Sequence, residues 1–193
     1  MPQDLSKLVL DPDVTRHEFR RVASIVGWTI RGFGSDEPDE PFEEAWGTRG
    51  QRREVHFVED PFIGLSYLLL EPADRDTVLK ELDGQLHIWS TAEAIEAARN
   101  PSDSQLRAQL VRILALSAPA VQEPASLATL RAAAQDEAAE VRESVVLSSA
   151  YLPTWPAVHK LLADMAESDP VPALRADAQA MLDTLNSDPE LAE

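Results

Sequence analysis

The stretch DEAAEVRESVV, residues 136–146, decides how the second half of the chain is read. It returns in altered form as DPVPALRADAQ at 169–179. In both, an aspartate stands six residues before an arginine: Asp136 before Arg142, and Asp169 before Arg175. An aliphatic residue, Val141 or Leu174, precedes each arginine. A helical apolar face follows each, carried by Val145 and Val146 in one copy and by Ala178, Met181, Leu182 and Leu185 in the other. A third copy, PSDSQLRAQLVRIL from 101, has Leu106, Arg107, Leu110, Val111, Ile113 and Leu114 in the matching places. It departs from the pattern in having Pro101 where the aspartate would stand, with Asp103 close by. Arg107, Arg142 and Arg175 lie 35 and 33 residues apart, a period that marks stacked structural repeats.

Another helical stretch stands ahead of each copy. STAEAIEAARN at 90–100 opens with Ser90 and Glu93 at capping-box spacing, where the two side chains satisfy free amides of the first turn. EPASLATLRAAAQ at 123–135 places Pro124 in a first helical turn. TWPAVHKLLADMAES at 154–168 offers Thr154 as a cap and Pro156 just inside it, with Val158, Leu161, Leu162 and Met165 on one face. The unit is helix, tight turn, helix. One such hairpin leaves an apolar face bare, and stacked neighbours cover it. Residues 90–187 resemble HEAT-like repeats, in which a turn aspartate and a second-helix arginine form a ladder of hydrogen bonds between successive repeats. The resemblance assigns that structural role to Asp136, Arg142, Asp169 and Arg175, with Arg107 the arginine of the first copy. It implies a mostly α solenoid of about three helix pairs, of the kind found in uncharacterised bacterial proteins.

The N-terminal part has a different rhythm. Residues 13–30 predict a helix, with Asp13 or Thr15 as cap and Phe19, Val22, Ala23, Val26 and Ile30 on one face. SDEPDEPFEE at 35–44 holds six acids, two prolines and no base, which predicts an exposed loop. The period then changes to two. FEEAWGT (42–48), REVHFVED (53–60) and FIGLSYLLLE (62–71) predict three antiparallel strands joined by short turns. A helix over 73–83 and a fourth strand at 85–90 complete the expected fold class. It is an α+β head of order α-β-β-β-α-β with a small three- to four-stranded antiparallel sheet at 1–89, fused to helical repeats at 90–187. Residues 188–193 are expected to form a disordered tail.

Charge and composition set limits on function. Hydrophobic residues make up 44% and charged residues 26%, proportions of a globular chain rather than a disordered one. The net charge is −17, with sixteen acids and seven bases after Ser90, so the acidity runs through both parts. Such a surface repels nucleic-acid phosphates and anionic membranes and attracts basic partners. The same charge also serves plain solubility. Some HEAT-like proteins grip DNA in a basic groove, and seven bases are too few for that. There is no cysteine, which removes disulfides, thiolate metal sites and thiol nucleophiles. The first residues carry no apolar leader and the longest apolar run is YLLL, so the expected location is the cytoplasm.

A search for catalytic constellations returns little. His17, His56, His87 and His159 are all more than four residues apart, which excludes the paired-histidine motifs of zinc enzymes. His56 and His87 would converge only if their strands were neighbours. GLSYL at 64–68 lacks the second glycine of a nucleophile elbow, and no phosphate-binding glycine loop occurs. No catalytic residue, metal site or cofactor is therefore assigned. The leading functional reading is a non-catalytic protein–protein interaction module whose acidic surface binds a basic protein partner. Its candidate contacts are Asp36, Glu37, Asp39, Glu40, Glu43, Glu44 and Trp46 in and after the acidic loop. Glu140, Glu143 and Asp177 join them on the second helices of the repeats. A second reading is an immunity protein or antitoxin that neutralises a basic toxin. A metal-dependent enzyme using His56 and His87 ranks third. No nucleic acid or membrane is expected as partner, and a monomer is favoured.

Overall fold

Leu8, Val9 and Leu10 are all buried, and they belong to a strand that opens the fold. The computed structural model describes residues 5–34, 40–48, 53–99 and 101–187. It divides into two units, Met1–Ser90 and Thr91–Glu193. The first unit runs β1 (Ser6–Leu10), α1 (Arg16–Ile25), β2 (Trp28–Phe33), β3 (Phe42–Thr48), β4 (Glu54–Asp60) and β5 (Leu65–Leu70). A 3-10 turn (Pro72–Asp74), α2 (Arg75–Leu82) and β6 (Ile88–Trp89) follow. The six strands form one antiparallel sheet in the order β2-β3-β4-β5-β1-β6.

The sheet is thus two strands larger than the sequence suggests. β1 escapes period-two reading because it is an interior strand between β5 and β6. Its two faces are both buried, so it reads as the short apolar run LVL rather than as an alternation. β2 was expected as the last turns of the first helix, since Val22, Val26 and Ile30 keep helical spacing. Gly27 ends that helix instead. At φ +84° it takes the left-handed conformation of a helix C-terminus, and its N–H reaches back to the Ser24 carbonyl at 3.1 Å. The β-formers Trp28, Thr29 and Ile30 then leave as a strand.

One face of the sheet carries both helices. Phe19, Val22 and Ala23 of α1 and Val78 and Leu82 of α2 pack on Leu8, Leu10, Trp28, Trp46, Val55, Phe57, Leu68 and Leu70. Phe19 stacks on Phe57 with centroids 4.5 Å apart and meets Trp46 edge-on at 5.6 Å. Two arginines of α1 pin the helix to carboxylates on the same face. Arg16 donates to Glu59 through Nε at 2.9 Å, and Arg20 to Glu44 at 2.7 Å.

Among the described residues, the second unit holds six helices in three pairs: α3 (Thr91–Ala97) with α4 (Ser104–Ser117), α5 (Pro124–Ala133) with α6 (Ala139–Ser149), and α7 (Pro156–Ser168) with α8 (Pro172–Ser187). First helices neighbour first helices, and α6 lies between α4 and α8. The fold class is therefore an antiparallel α+β unit followed by a HEAT-like helical-repeat unit. Pro124 and Pro156 open their helices, and α3 starts directly after Ser90. Thr154 does not cap α7 through its side chain. Its hydroxyl donates across to the Ala120 carbonyl at 2.8 Å, which ties the start of the third pair to the link between the first two.

Candidate partner-binding surface of the helical unit

The aspartate–arginine interval is resolved by two kinds of hydrogen bond. Arg107 and Arg142 each turn one nitrogen to their own turn and two to the next pair. Arg142 Nη1 donates to the carbonyls of Asp136, at 2.8 Å, and Glu137, at 3.1 Å. Its Nε and Nη2 donate to the two carboxylate oxygens of Asp169 at 2.8 and 3.2 Å. Arg107 repeats the scheme, with Nη1 on the carbonyls of Pro101 and Ser102 and a forked contact to Asp136 at 2.8 and 2.9 Å. Arg175 Nη1 returns to the Asp169 carbonyl at 2.7 Å. The residue six before each arginine thus supplies a backbone oxygen, and its side chain serves the arginine of the preceding pair. Pro101 supplies that oxygen as well as an aspartate would, and the first pair has no predecessor whose arginine would need a carboxylate. Asp103, the nearby acid, instead caps α4 by accepting from Leu106 N at 3.1 Å.

Each ladder carboxylate also accepts the amide two residues on, Ala138 at 2.9 Å and Val171 at 2.8 Å. The arginine hydrogen bonds lead the causes that hold Asp136 and Asp169 below the ordinary aspartate range. The Arg142–Asp169 pair is nearly sealed, with side chains 6% and 2% exposed. Trp155, fully buried, adds a second stitch, its indole N–H donating to Ala120 O at 3.0 Å.

Among the acidic candidates on the second helices, Glu143 on α6 and Asp177 on α8 are exposed. Glu140 is half-buried and already engaged. It accepts from the Ser104 hydroxyl on α4 at 2.5 Å, and that bond leads the causes holding its carboxyl below the usual value. Burial lowers the Arg112 pKa, opposed by the neighbouring Glu143 charge. A groove not foreseen from the sequence opens between the second and third pairs, on the edge where the intra-pair turns lie. It encloses about 340 Å³. Its lining includes the ladder residues Asp136, Arg142 and Asp169, joined by Glu137, Leu161, Asp164, Met165 and Pro170. Only the position of Glu137, directly after a ladder aspartate, could have flagged it.

The head-unit candidates fare differently. Asp36, Glu37 and Asp39 lie outside the described residues, and Glu40 is exposed. Glu44 and Trp46 belong to the core rather than to a binding surface, at 0% and 2% exposure. Both side chains point to the helix-bearing face, where Glu44 pairs with Arg20 and accepts the Trp46 indole N–H at 3.2 Å. Glu43 points to the other face. It meets His56 Nδ1 at 2.5 Å, and His56 Nε2 lies 3.1 Å from Glu54. His56 and His87 do not converge. β5 and β1 stand between β4 and β6, about 14 Å at ordinary strand spacing, and His87 pairs with Asp11 at 3.0 Å. Among the described residues, no three His, Asp or Glu side chains are grouped to hold a metal ion, and no helix is long and apolar enough to cross a membrane. The expected tail at 188–193 lies outside the described residues.

Three stacked helix pairs, stitched by a ladder of arginines and aspartates, give the second unit a HEAT-like repeat fold. The family model of HEAT repeats matches residues 91–183, all of them within the helical unit. No curated protein and no solved structure matches the chain.

Proposed function

We propose that the helical unit is a non-catalytic protein-binding module that takes a basic segment of a partner protein. HEAT repeats commonly mediate protein–protein interaction, and stacked pairs present an extended surface for it. The observation that carries the charge preference is where the bases are. Three of the seven bases after Ser90 are the ladder arginines: Arg107 and Arg142 face their own turns and the aspartates of the next pair, and Arg175 faces its own turn. The carboxylates Glu143 and Asp177 stand exposed on the second helices. What reaches solvent on this unit is therefore mostly negative, a field that speeds encounter with a positive partner and weakens with salt.

The test is capture on immobilised protein at low salt, followed by a salt step. The expected result is retention of a basic protein that elutes with salt and is lost from the Glu143→Lys/Asp177→Lys variant. A basic toxin in that fraction would narrow the role to neutralisation. Retention that ignores both salt and charge reversal would refute the reading.

A further inference from the structure

We propose that the groove between the second and third helix pairs is a docking slot for an extended basic–apolar segment of a partner protein. In this slot an arginine or lysine lays its aliphatic stem on Leu161, Met165 and Pro170 and turns its cationic head toward Glu137 and Asp164. This site rests on the protein-binding reading above and adds to the second-helix carboxylates a contact on the turn edge of the unit.

Three observations meet there. The first is size. About 340 Å³ lies at the low end of the range for small-ligand pockets, roughly 300–1,000 Å³, which suits one or two side chains rather than a folded domain. The second is the chemistry of the lining. Leu161, Met165, Pro170 and Ala134 give it an apolar side against which methylene groups lose water. The third is the balance of charge. Two of its four carboxylates, Asp136 and Asp169, are matched by Arg107 and Arg142 in the ladder. The other two, Glu137 and Asp164, make no ion pair among the described residues, and both are exposed. Arg142, the one base in the lining, has all three nitrogens turned to Asp169 and to the carbonyls of its own turn. The groove thus offers two exposed carboxylates outside the ion pairs of the described residues, beside an apolar wall. A lone cation gains little from exposed carboxylates in water. A cation carried on an apolar stem gains from both surfaces, which is why the occupant is a side chain of a peptide rather than a free ion.

The ladder makes the slot rigid. The turns bearing Glu137 and Pro170 are held by arginine forks and by Asp136 and Asp169 accepting the Ala138 and Val171 amides, so little order is lost on binding.

The test uses the full chain and a fluorescent peptide of alternating arginine and leucine, read by anisotropy and by the methyl resonance of Met165. Two control peptides replace leucine by glycine or arginine by glutamate. The expected result is saturable binding with a shifted Met165 methyl, at least tenfold weaker with the glycine peptide and absent with the glutamate peptide. Glu137→Lys/Asp164→Lys should weaken binding at least tenfold, and both residues are exposed, so the variant should fold. Suppose the peptide binds, Met165 stays unmoved and this variant binds normally, while Glu143→Lys/Asp177→Lys loses affinity. The slot is then overturned and the protein-binding reading survives on the second-helix face. Binding by neither surface overturns both.

Discussion

Replacing Asp169 by alanine would remove the more deeply buried rung of the ladder. Two hydrogen bonds from Arg142 go with it, at 2.8 and 3.2 Å, together with the one that satisfies the Val171 amide. The larger effect is on what stays behind. Arg142 is 5% exposed, so its charge would remain inside the unit without its counter-ion. Breaking one side of a buried pair costs about 3–5 kcal/mol. Arg142 keeps its two carbonyl acceptors in the turn, which places the expected loss near the lower end, about 3 kcal/mol. That is a large part of the roughly 5–15 kcal/mol that holds a domain folded. The reporter should see only the helical unit. Of the four tryptophans, Trp155 alone lies there, and its indole N–H is held by Ala120. A urea titration followed by indole resonances therefore separates the two units without assuming that they unfold together. With m about 1.5 kcal/mol/M, the Trp155 midpoint should fall by about 2 M while those of Trp28 and Trp46 hold. Asp136→Ala, whose arginine partner is more open to water, should move it less. The double variant Arg142→Met/Asp169→Leu should recover most of the loss, because it removes the stranded charge as well. A midpoint for Asp169→Ala no lower than that for Asp136→Ala would refute the reasoning, since the ladder would then work without regard to burial.

Two further outcomes follow from the same contacts. Asp136 and Asp169 have folded-state pKa values below the ordinary 3.8, so the stability they confer is present above that pH and is lost as pH falls through the lower folded value. Acid titration of the Trp155 midpoint should therefore drop steeply below about pH 4 in the native chain and less steeply in Asp169→Ala; parallel curves would contradict the assignment. In the head unit, Glu44→Ala would leave the buried Trp46 indole N–H without its acceptor, at about 1–3 kcal/mol, whereas Glu44→Gln keeps an oxygen there and should lose less. Equal losses, measured as urea midpoints of the Trp46 resonance, would show that the carboxylate matters there only as the partner of Arg20.

What could be read from the sequence was what repeats or alternates. The ladder was legible because it recurs in register with an apolar face, and three copies disclose a spacing that one would not. β3 and β4 were legible because apolar residues recur at every second or fourth position, Phe42 and Trp46 in one and Val55 and Phe57 in the other, so their period shows. β1 and β2 were not, for opposite reasons. β1 is buried on both faces and has no alternation to show, while β2 keeps helical spacing with α1 across Gly27, and only that residue's backbone angle breaks the pattern. The same logic governs the candidate site. Glu44 and Trp46 look like the end of an acidic loop when composition is averaged over ten residues. Register in the sheet puts both on the helix-bearing face, where Arg20 waits four residues beyond Arg16 to meet the carboxylate. The groove was invisible for a third reason. Glu137, Asp164 and Pro170 come from one turn, one helix and another turn, and apart from the place of Glu137 directly after a ladder aspartate nothing in their local sequence distinguishes them from other surface residues. What brings them together is the stacking of two pairs, and that stacking is set by Arg142 and Asp169. The motif that revealed the architecture is thus also the device that builds the groove, so a partner seated there would be reading the joint between repeats rather than any single helix.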